Sequence, residues 1–239
     1  HDALPIFEIN GHTKQLGIIG YPVEHTFSPN MHNFISETVH NNYVYGAWCV
    51  KPEDLKDAIG GMRALGISGI NVTAPHKVEV MKYIDVVTDG AKKLGSVNTV
   101  VNRDGKLYGY NTDADGFCMA LTKAGIEIEN SRILIIGAGG VVRPTLIRLI
   151  DNKPKSITVV NRTKSKAKTL AEDILKSTGF EVNTEIDKLE FDIVINTTSA
   201  GMEPQENVMP IENIEEINDT FIVLQALVKQ KKEISFRKF

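Results

Sequence analysis

The chain has 239 residues, of which 42% are hydrophobic and 24% charged, and this composition is typical of a globular protein with one large or two modest domains. Its 27 basic and 30 acidic side chains give a net charge of −3, which argues against a surface specialised for nucleic acid or anionic membrane. The two cysteines lie outside any CxxC pattern, so neither a disulfide framework nor a zinc site is expected, and no apolar stretch approaches the roughly 20 residues of a membrane span.

Strands and helices are predicted to alternate in the first half of the chain. Short apolar runs predict strands at 15–19, 43–50 and 67–72. One helix is predicted to follow Ser28 and Pro29, which suit an N-cap and a first turn, and a second covers 53–65 and ends at Gly66. This alternation is typical of a parallel α/β unit.

A second α/β unit is predicted to follow. A helix at 113–123 ends before Gly125. The elements predicted after it are a strand at 132–136, a helix at 141–150, a strand at 156–160, a helix at 165–176 and a strand at 191–195. We therefore place a domain boundary near 111–113, and we expect ligands to bind beyond the carboxyl ends of the strands.

A glycine turn joins the strand at 132–136 to the helix at 141–150. Gly137 permits a tight turn, and Gly139 lets backbone N–H groups approach a pyrophosphate at the positive end of the helix. The full GxGxxG pattern is absent because Val142 takes its last position, so an ordinary strand–helix turn is the alternative. The second strand that follows favours dinucleotide binding.

The residues after the second strand indicate which dinucleotide would bind. A carboxylate there would hold the ribose 2′-hydroxyl of NAD, but the sequence has Asn161, followed by Arg162, Thr163 and Lys166. Guanidinium and ammonium groups favour the 2′-phosphate of NADP. A basic, solvated loop without such a role is the alternative.

Two motifs carry residues suited to acid–base chemistry. Lys77 stands in NVTAPHK directly after a strand, and Asp113 begins a helix in NTDADGF, where the helix dipole favours an ionised carboxylate. A lone lysine is usually a surface charge, and its pairing with Asp113 makes an acid–base role credible. We interpret His76 as structural, and Ser28 as a helix cap, a ligand-binding hydroxyl, or both.

At these motifs, over residues 17–225, the chain resembles the shikimate dehydrogenase family. The resemblance implies two α/β domains around a cleft: a substrate domain at 1–112 and a Rossmann-like NADP-binding domain at 113–223. It also implies the reversible reduction of 3-dehydroshikimate to shikimate by NADPH, in aromatic amino-acid biosynthesis. A quinate/shikimate dehydrogenase that uses NAD or NADP is one alternative, and a non-catalytic ligand-binding relative is another.

The resemblance further implies roles for individual residues. Lys77 would be the acid–base group and Asp113 would orient it, with no metal required. The substrate would be bound by Thr26, Ser28, Thr73, Lys77, Asn98, Asp113 and Gln225. The cofactor would be bound by Gly137, Ala138, Gly139, Gly140, Val141, Asn161, Arg162, Thr163, Lys166, Thr198 and Ser199. The sequence departs from the family's HSxSP pattern at Thr26, where a methyl group is added to the hydroxyl.

The C-terminal part departs most from the family pattern. Val223 runs directly into Leu224 and Gln225, whereas the resemblance implies an intervening segment and a glycine-rich turn before the helix that carries the substrate glutamine. We predict a helix at 224–239 that packs onto the first domain. Either the chain has lost this segment, or the printed sequence joins residues across it. The second alternative predicts a backbone break within 222–225.

The expected binding partners are a small-molecule substrate, shikimate or 3-dehydroshikimate, and the cofactor NADP(H). No nucleic acid and no membrane are expected, and the chain is predicted to be a monomer or a homodimer. The N-terminal residues lack a signal-peptide pattern, which together with the cysteine usage predicts a cytoplasmic protein.

Overall fold

A computed structural model describes residues 9–198, residue 200 and two short strands at 222–225 and 237–238. The chain divides into two compact units, His1–Thr112 and Asp113–Phe239. Each unit is built on one β-sheet flanked by helices. None of the helices in the described part of the chain combines the length and the apolar character that a bilayer crossing requires.

The first unit contains a mixed sheet. Its elements are β1 Lys14–Gly20, α1 Ser28–Thr38, β2 Tyr43–Cys49, α2 Leu55–Ala64, β3 Gly69–Val72, β4 Val86–Val87, α3 Asp89–Leu94, β5 Thr99–Arg103 and β6 Lys106–Tyr110, with short 3₁₀ helices at Pro52–Asp54 and Glu79–Lys82. The described strands are ordered β2-β1-β3-β5-β6-β4. The predicted strands and helices of this region are therefore present. α2 ends at Ala64, and Gly66, whose φ of +66° suits glycine, follows the C-cap residue Leu65.

The pairing of the strands corrects one expectation. β1 pairs in parallel with β2 and β3, as predicted, but β5 is antiparallel to both β3 and β6. The hairpin turn between β5 and β6 has Asp104 at φ +53° and Gly105 at φ +84°. Two consecutive residues of positive φ favour Asp-Gly, so this dipeptide in the sequence marks the hairpin that the parallel interpretation missed.

The second unit contains a mainly parallel sheet. Its described elements are α4 Asp113–Lys123, β7 Arg132–Ile136, α5 Val142–Asp151, β8 Ser156–Val160, α6 Lys164–Thr178, β9 Ile193–Asn196, β10 Ile222–Gln225 and β11 Arg237–Lys238. Their order is β11-β10-β9-β7-β8, and only β11 is antiparallel to its neighbour in this described sheet. Ile133, Leu134 and Ile135 are fully buried, as in a parallel sheet that is covered on both faces.

The predicted C-terminal helix is wrong where the structure describes this region. Ile222–Gln225 is a strand that pairs residue by residue with Ile193–Asn196. The predicted break in the backbone within 222–225 stays a prediction. The predicted helix at 224–239 is contradicted at both described places, because Arg237–Lys238 is also a strand. The sequence IVLQ has β-branched and apolar residues, which suit the extension of a buried parallel sheet better than the start of a helix.

Helix α1 attaches to the outer edge of β2 through polar side chains. The Asn33 amide donates to the Tyr45 carbonyl oxygen at 3.0 Å and accepts from the Tyr45 N–H at 2.8 Å. The Ser36 hydroxyl donates to the Tyr43 carbonyl oxygen at 3.0 Å, and the His32 ring stacks on Tyr45 with 4.2 Å between ring centroids. Asn33 thus occupies the backbone groups that a further strand would use, which closes the edge of the sheet.

We expect Asn33→Ala to destabilise the first unit. The substitution leaves the N–H and C=O of buried Tyr45 without their partner, and an unsatisfied buried polar group costs about 1–3 kcal/mol. The free energy of unfolding, measured by urea denaturation, should fall by about this amount. The matched control is Asn30→Ala, at an exposed position of the same helix, and it should change stability by less than about 0.5 kcal/mol. Equal effects would contradict a role of Asn33 at the strand edge.

Candidate functional site

The polar residues predicted for the first unit gather where the central strands of its sheet end, and we call this the edge. β1 and β3 end there at Gly20 and Val72, and β5 begins there because it is antiparallel to β3. The Thr73 N–H donates to the Ile19 carbonyl oxygen at 2.9 Å. A Cβ atom on Gly20 would collide with the Thr73 side chain, so Thr73 lies directly over the end of β1.

Lys77 is placed by the turn that follows β3. The preceding residue, His76, is 1% exposed, and its ring Nε2 donates to the Val50 carbonyl oxygen at 2.7 Å, the only role that a carbonyl partner allows. The Lys77 carbonyl oxygen accepts from the Val97 N–H at 2.8 Å. Lys77 is half-buried, and its backbone lies beside the residue that precedes Asn98. His76 therefore has the structural position that the sequence predicted.

Asn98 belongs to a hydrogen-bonded network that we call the edge network: Tyr45, Asn71, Thr99, Asn98 and Thr112. The Tyr45 hydroxyl donates to Asn71 Oδ1 at 2.6 Å, and Asn71 Nδ2 donates to Thr99 Oγ1 at 3.2 Å. Thr99 Oγ1 donates to Asn98 Oδ1 at 2.9 Å, and Asn98 Nδ2 donates to Thr112 Oγ1 at 3.0 Å. The Thr112 N–H also donates to Asn98 Oδ1, at 3.0 Å, which fixes the orientation of this amide.

Thr26 and Ser28 lie together at the start of α1. Thr26 Oγ1 donates to Ser28 Oγ at 3.1 Å and accepts from the Ser28 N–H at 3.3 Å. The predicted capping role of Ser28 is wrong, because Ser28 is the first helical residue and the hydroxyl of Thr26 takes its amide. Burial raises the pKa of Tyr45, and a hydrogen bond with Ser28 opposes that shift, so these hydroxyls adjoin the edge network.

Asp113 belongs to the second unit and is the first residue of α4. At this position the helix dipole stabilises a carboxylate. α4 is tied to α5 by an ion pair in which Arg148 Nε lies 2.6 Å from Asp115 Oδ1. The described structure thus brings Thr73, Lys77 and Asn98 to one edge of the first unit and gives Asp113 a helix N-terminus in the second.

In the glycine turn after β7, one glycine is required by the packing of the fold, and two others leave space for a ligand. Gly137 has φ +116°, its N–H donates to the Val160 carbonyl oxygen at 2.8 Å, and a Cβ atom there would collide with the Thr197 hydroxyl. At Gly139 and Gly140 an added Cβ atom would meet no heavy atom within 4 Å. Gly137 is therefore needed by the fold, whereas the later glycines leave open space for a group that approaches the N-terminus of α5.

A cavity of about 350 Å³ lies between this turn and the start of α6. It is lined by Ala138, Ser165, Lys166, Thr169, Leu170 and Asp173. Val141, the residue before α5, accepts a hydrogen bond from Thr145 Oγ1 at 2.8 Å through its carbonyl oxygen. The cavity therefore connects the glycine turn with the predicted basic loop, within one unit.

The loop after β8 is basic and exposed. Asn161 Nδ2 and the Lys166 N–H each donate to the Thr163 carbonyl oxygen at 3.0 Å, which fixes the turn. Arg162, Lys164 and Lys166 are exposed around this turn, and the segment 161–168 contains no carboxylate. The loop has the charge that a 2′-phosphate requires and lacks the acidic residue that would hold a free ribose hydroxyl.

The remaining predicted residues lie at the ends of β9 and β10. Thr198 donates to Asn196 Oδ1 from its N–H at 2.9 Å and from its hydroxyl at 2.7 Å. Asn196 Nδ2 in turn donates to the Ala200 carbonyl oxygen at 2.9 Å, which closes a tight turn after β9. Ser199 lies outside the described residues. Gln225 ends β10 instead of lying on a helix, and its role in binding substrate stays a prediction.

A larger cavity, of about 520 Å³, lies elsewhere in the second unit and contains none of the predicted residues. Its lining includes Glu127, Glu129 and Asp151, with Lys153 as its one basic side chain among the described residues. This excess of carboxylates repels a phosphate. The smaller cavity beside the glycine turn is therefore the better dinucleotide site.

Sequence reasoning missed most members of the edge network as support for Asn98. Tyr45 is 4% exposed, as a core residue is, but its hydroxyl also donates to Asn71. Asn71, Thr99 and Thr112 each stand within two residues of a predicted site residue. Their places in the motifs NVT, SVNT and NTD were the available signal.

Two protein families match separate parts of the chain, one within each unit. Residues 18–100 match the family described as "Shikimate dehydrogenase substrate binding domain", and residues 119–223 match "Shikimate / quinate 5-dehydrogenase". The shikimate dehydrogenase (NADP(+)) of Methanocaldococcus jannaschii is 42% identical over 242 residues, covering 95% of this chain and 85% of that relative.

Solved structures of similar proteins share the fold. A crystal structure of a shikimate dehydrogenase in complex with NADP+ has a TM-score of 0.82 and 41% identity, over 90% of this chain and 77% of that one. The shikimate 5-dehydrogenase of Thermus thermophilus, in complex with NADP(H) and shikimate, has a TM-score of 0.74 and 32% identity, over 83% of this chain and 73% of that one.

We expect Gly137→Ala to destabilise the second unit. The new Cβ atom would lie against the Thr197 hydroxyl in a backbone conformation that alanine rarely adopts, at a cost of about 2 kcal/mol or more. Thermal unfolding followed by circular dichroism should show a melting temperature lower by about 4–8 °C. Gly139→Ala, with open space around the added atom, is the matched control and should leave the melting temperature unchanged. Equal shifts would show that the close approach to Thr197 does not limit position 137.

Proposed function

Because this chain belongs to the shikimate dehydrogenase family, we propose that it catalyses the reversible, NADP-dependent reduction of 3-dehydroshikimate to shikimate, a reaction of aromatic amino-acid biosynthesis. The observation that carries this proposal is the polar edge of the first sheet. There Thr73, Lys77 and Asn98 lie on neighbouring segments, within the part of the chain that matches the substrate-binding family.

The first unit supplies hydroxyl and amide groups for a polyhydroxylated acid. Thr26 and Ser28 are a pair of hydroxyls at a helix start, where a substrate carboxylate is favoured. Thr73 and Asn98 lie at the strand ends and bind ring hydroxyls. The edge network holds the Asn98 amide in one orientation, in which Oδ1 accepts from Thr99 and Thr112 and Nδ2 donates to Thr112. The methyl group of Thr26 narrows the space beside the carboxylate.

Lys77 moves the proton. In the direction of reduction its ammonium group donates a proton to the oxygen of the substrate carbonyl, and in the reverse direction the neutral amine accepts that proton from the hydroxyl. Asp113 orients the lysine and binds the same substrate hydroxyl. Asp113 is the first residue of α4, and in this arrangement its carboxylate oxygens accept the hydrogen bonds.

The second unit fits NADP(H), which supplies the hydride when bound. Gly137 to Gly140 form the turn at the N-terminus of α5, and the open space at Gly139 and Gly140 admits a pyrophosphate against backbone N–H groups. Arg162 and Lys166 hold the 2′-phosphate. The cavity that joins the turn to this loop, about 350 Å³, has the size of a small-molecule site.

A quinate/shikimate dehydrogenase is the second candidate, because the description of the matching family names both substrates. Steady-state assays with shikimate or quinate, each with NADP or NAD, distinguish the two. The proposal requires kcat/KM to be highest for shikimate with NADP. A failure to form NADPH absorbance on adding shikimate would instead indicate a ligand-binding protein without catalysis. We propose a cytoplasmic location, because the free thiols Cys49 and Cys118 suit a reducing compartment.

We expect Lys77→Ala to lower kcat by about 10²–10⁴-fold, the usual contribution of a general acid–base group. KM for shikimate should change much less, since the lost interaction belongs mainly to the transition state. The measurement is the initial rate of NADPH formation at saturating shikimate. Lys82→Ala is the matched control: Lys82 is exposed, pairs with Glu79 at 2.9 Å, and should have no effect. A near-normal kcat for Lys77→Ala would eliminate this assignment.

We expect Arg162→Ala to weaken NADP binding by about 10- to 100-fold, the loss of one charge-assisted hydrogen bond to a phosphate. Binding of NAD should stay nearly unchanged, because NAD carries no 2′-phosphate. Isothermal titration with each cofactor measures the ratio directly. Lys176→Ala, at an exposed position near the far end of α6, controls for the general loss of one positive charge. Equal weakening of both cofactors would show that Arg162 does not contact the 2′-phosphate.

A further inference from the structure

Two side chains of opposite charge lie beside the cavity of about 350 Å³ in the second unit. Asp173 lines this cavity, and Arg143 Nε lies 2.6 Å from Asp173 Oδ2. We call these two residues the cavity pair. The exposed fractions of their side chains are 31% for Arg143 and 48% for Asp173, so solvent weakens the attraction between them. The pair therefore contributes little to stability, which leaves its position beside the cavity to be explained.

The cavity pair is positioned by two helices. Arg143 stands in the first turn of α5, directly after the glycine turn. One face of α6 forms a wall of the cavity and carries, at spacings of three and four residues, Lys166, Thr169, Leu170 and Asp173. Asp173 is seven residues beyond Lys166, about 10 Å along the helix axis. The wall thus presents an ammonium group at one place and a carboxylate at another.

The charges of the cavity show why this carboxylate needs a partner. Among the described residues that line the cavity, Lys166 is the one cation and Asp173 the one anion, so the lining has no net charge. Arg143 is not one of the lining residues, and it adds the positive charge that makes the surroundings attractive to an anion. Without this partner, the Asp173 carboxylate would repel the phosphates of a dinucleotide.

We propose that Arg143 acts on cofactor binding through Asp173, by neutralising a carboxylate that would otherwise repel the pyrophosphate of the dinucleotide. This inference rests on the proposed function, in which the pyrophosphate lies at the glycine turn. Arg143 is then a positioning residue for Asp173 and does not itself contact the cofactor. NADP and NAD share the pyrophosphate, so the cavity pair affects both cofactors alike, whereas Arg162 is expected to affect only NADP.

Isothermal titration of the full chain with NADP and with NAD tests the cavity pair. Arg143→Met keeps most of the side-chain length and removes the charge, so both dissociation constants should rise by about 5- to 10-fold. Asp173→Asn keeps the shape and removes the carboxylate, so neither constant should rise. The double variant removes both charges, and both constants should return to within about 2-fold of the wild-type values.

Arg132→Met is the matched control for the loss of one positive charge from an ion pair. The Arg132 side chain is 30% exposed and contacts Glu190 and Asp192 at 2.6 and 3.0 Å. Arg132 begins β7, at the opposite end of that strand from the glycine turn. Both dissociation constants should be unchanged in this variant. An effect equal to that of Arg143→Met would overturn the proposal.

The double variant separates an indirect role of Arg143 from a direct one. If it binds the cofactors as weakly as Arg143→Met does, Arg143 contacts the cofactor itself, and the proposal is overturned. Equal affinities of the wild-type chain and Arg143→Met would also overturn it. Recovery of affinity on removing the second charge would support it, because a variant that is merely damaged in its fold is not repaired by a further substitution.

Inorganic pyrophosphate separates this inference from the proposed function. Titrated into the same variants, it should show the same order of affinities as the dinucleotides. A chain that binds pyrophosphate in this order but binds neither dinucleotide would support the cavity pair and remove the proposed function. NADP binding that is equal in all variants would overturn the inference and leave the proposed function in place. A wild-type chain that binds none of the three probes would overturn both.

Discussion

The arrangement of the first unit depends on polar side chains that satisfy one another, of which Tyr45 and Asn98 are buried. The edge network runs from Tyr45 in β2 through Asn71 in β3 and Thr99 in β5 to Thr112 beyond β6. An unsatisfied buried group costs about 1–3 kcal/mol, so the hydrogen bonds of buried Tyr45 and Asn98 hold their partners in place. Since the members stand on different strands, the network fixes the strand ends relative to one another, and the orientation of Asn98 is set before any ligand arrives.

The second unit reaches its binding geometry by a different route. β7 and β9 are buried and apolar, and the groups offered to a ligand are backbone N–H groups after the glycine turn. Close packing determines where that turn lies, because any side chain at Gly137 would collide with Thr197. Side-chain chemistry enters only at the basic loop after β8. Cofactor recognition thus needs few specialised residues, whereas the first unit needs a connected set.

The sequence predicted most elements because strands, helices and their ends carry local signals. The β5–β6 hairpin was not predicted, although Asp104-Gly105 is a typical hairpin turn, because the alternation of strands and helices suggested parallel pairing. The capping role given to Ser28 failed because the helix begins one residue earlier than predicted: Ser28 is already helical, and Phe27 has the cap position. The motif residues at the strand ends were predicted from the sequence. The side chains that hold them in place were not, because partners such as Tyr45 and Asn71 are 26 residues apart and meet only when the strands pair.

Asn33 also has a consequence for how this protein is handled outside its native state. Until α1 docks, the backbone of β2 is an open template on which another unfolded molecule can add a strand, and this association grows with concentration. Docking of a single amide side chain removes that template. Recovery from denaturant is therefore a competition between an intramolecular step and a bimolecular one, and high dilution during refolding favours soluble protein over aggregate.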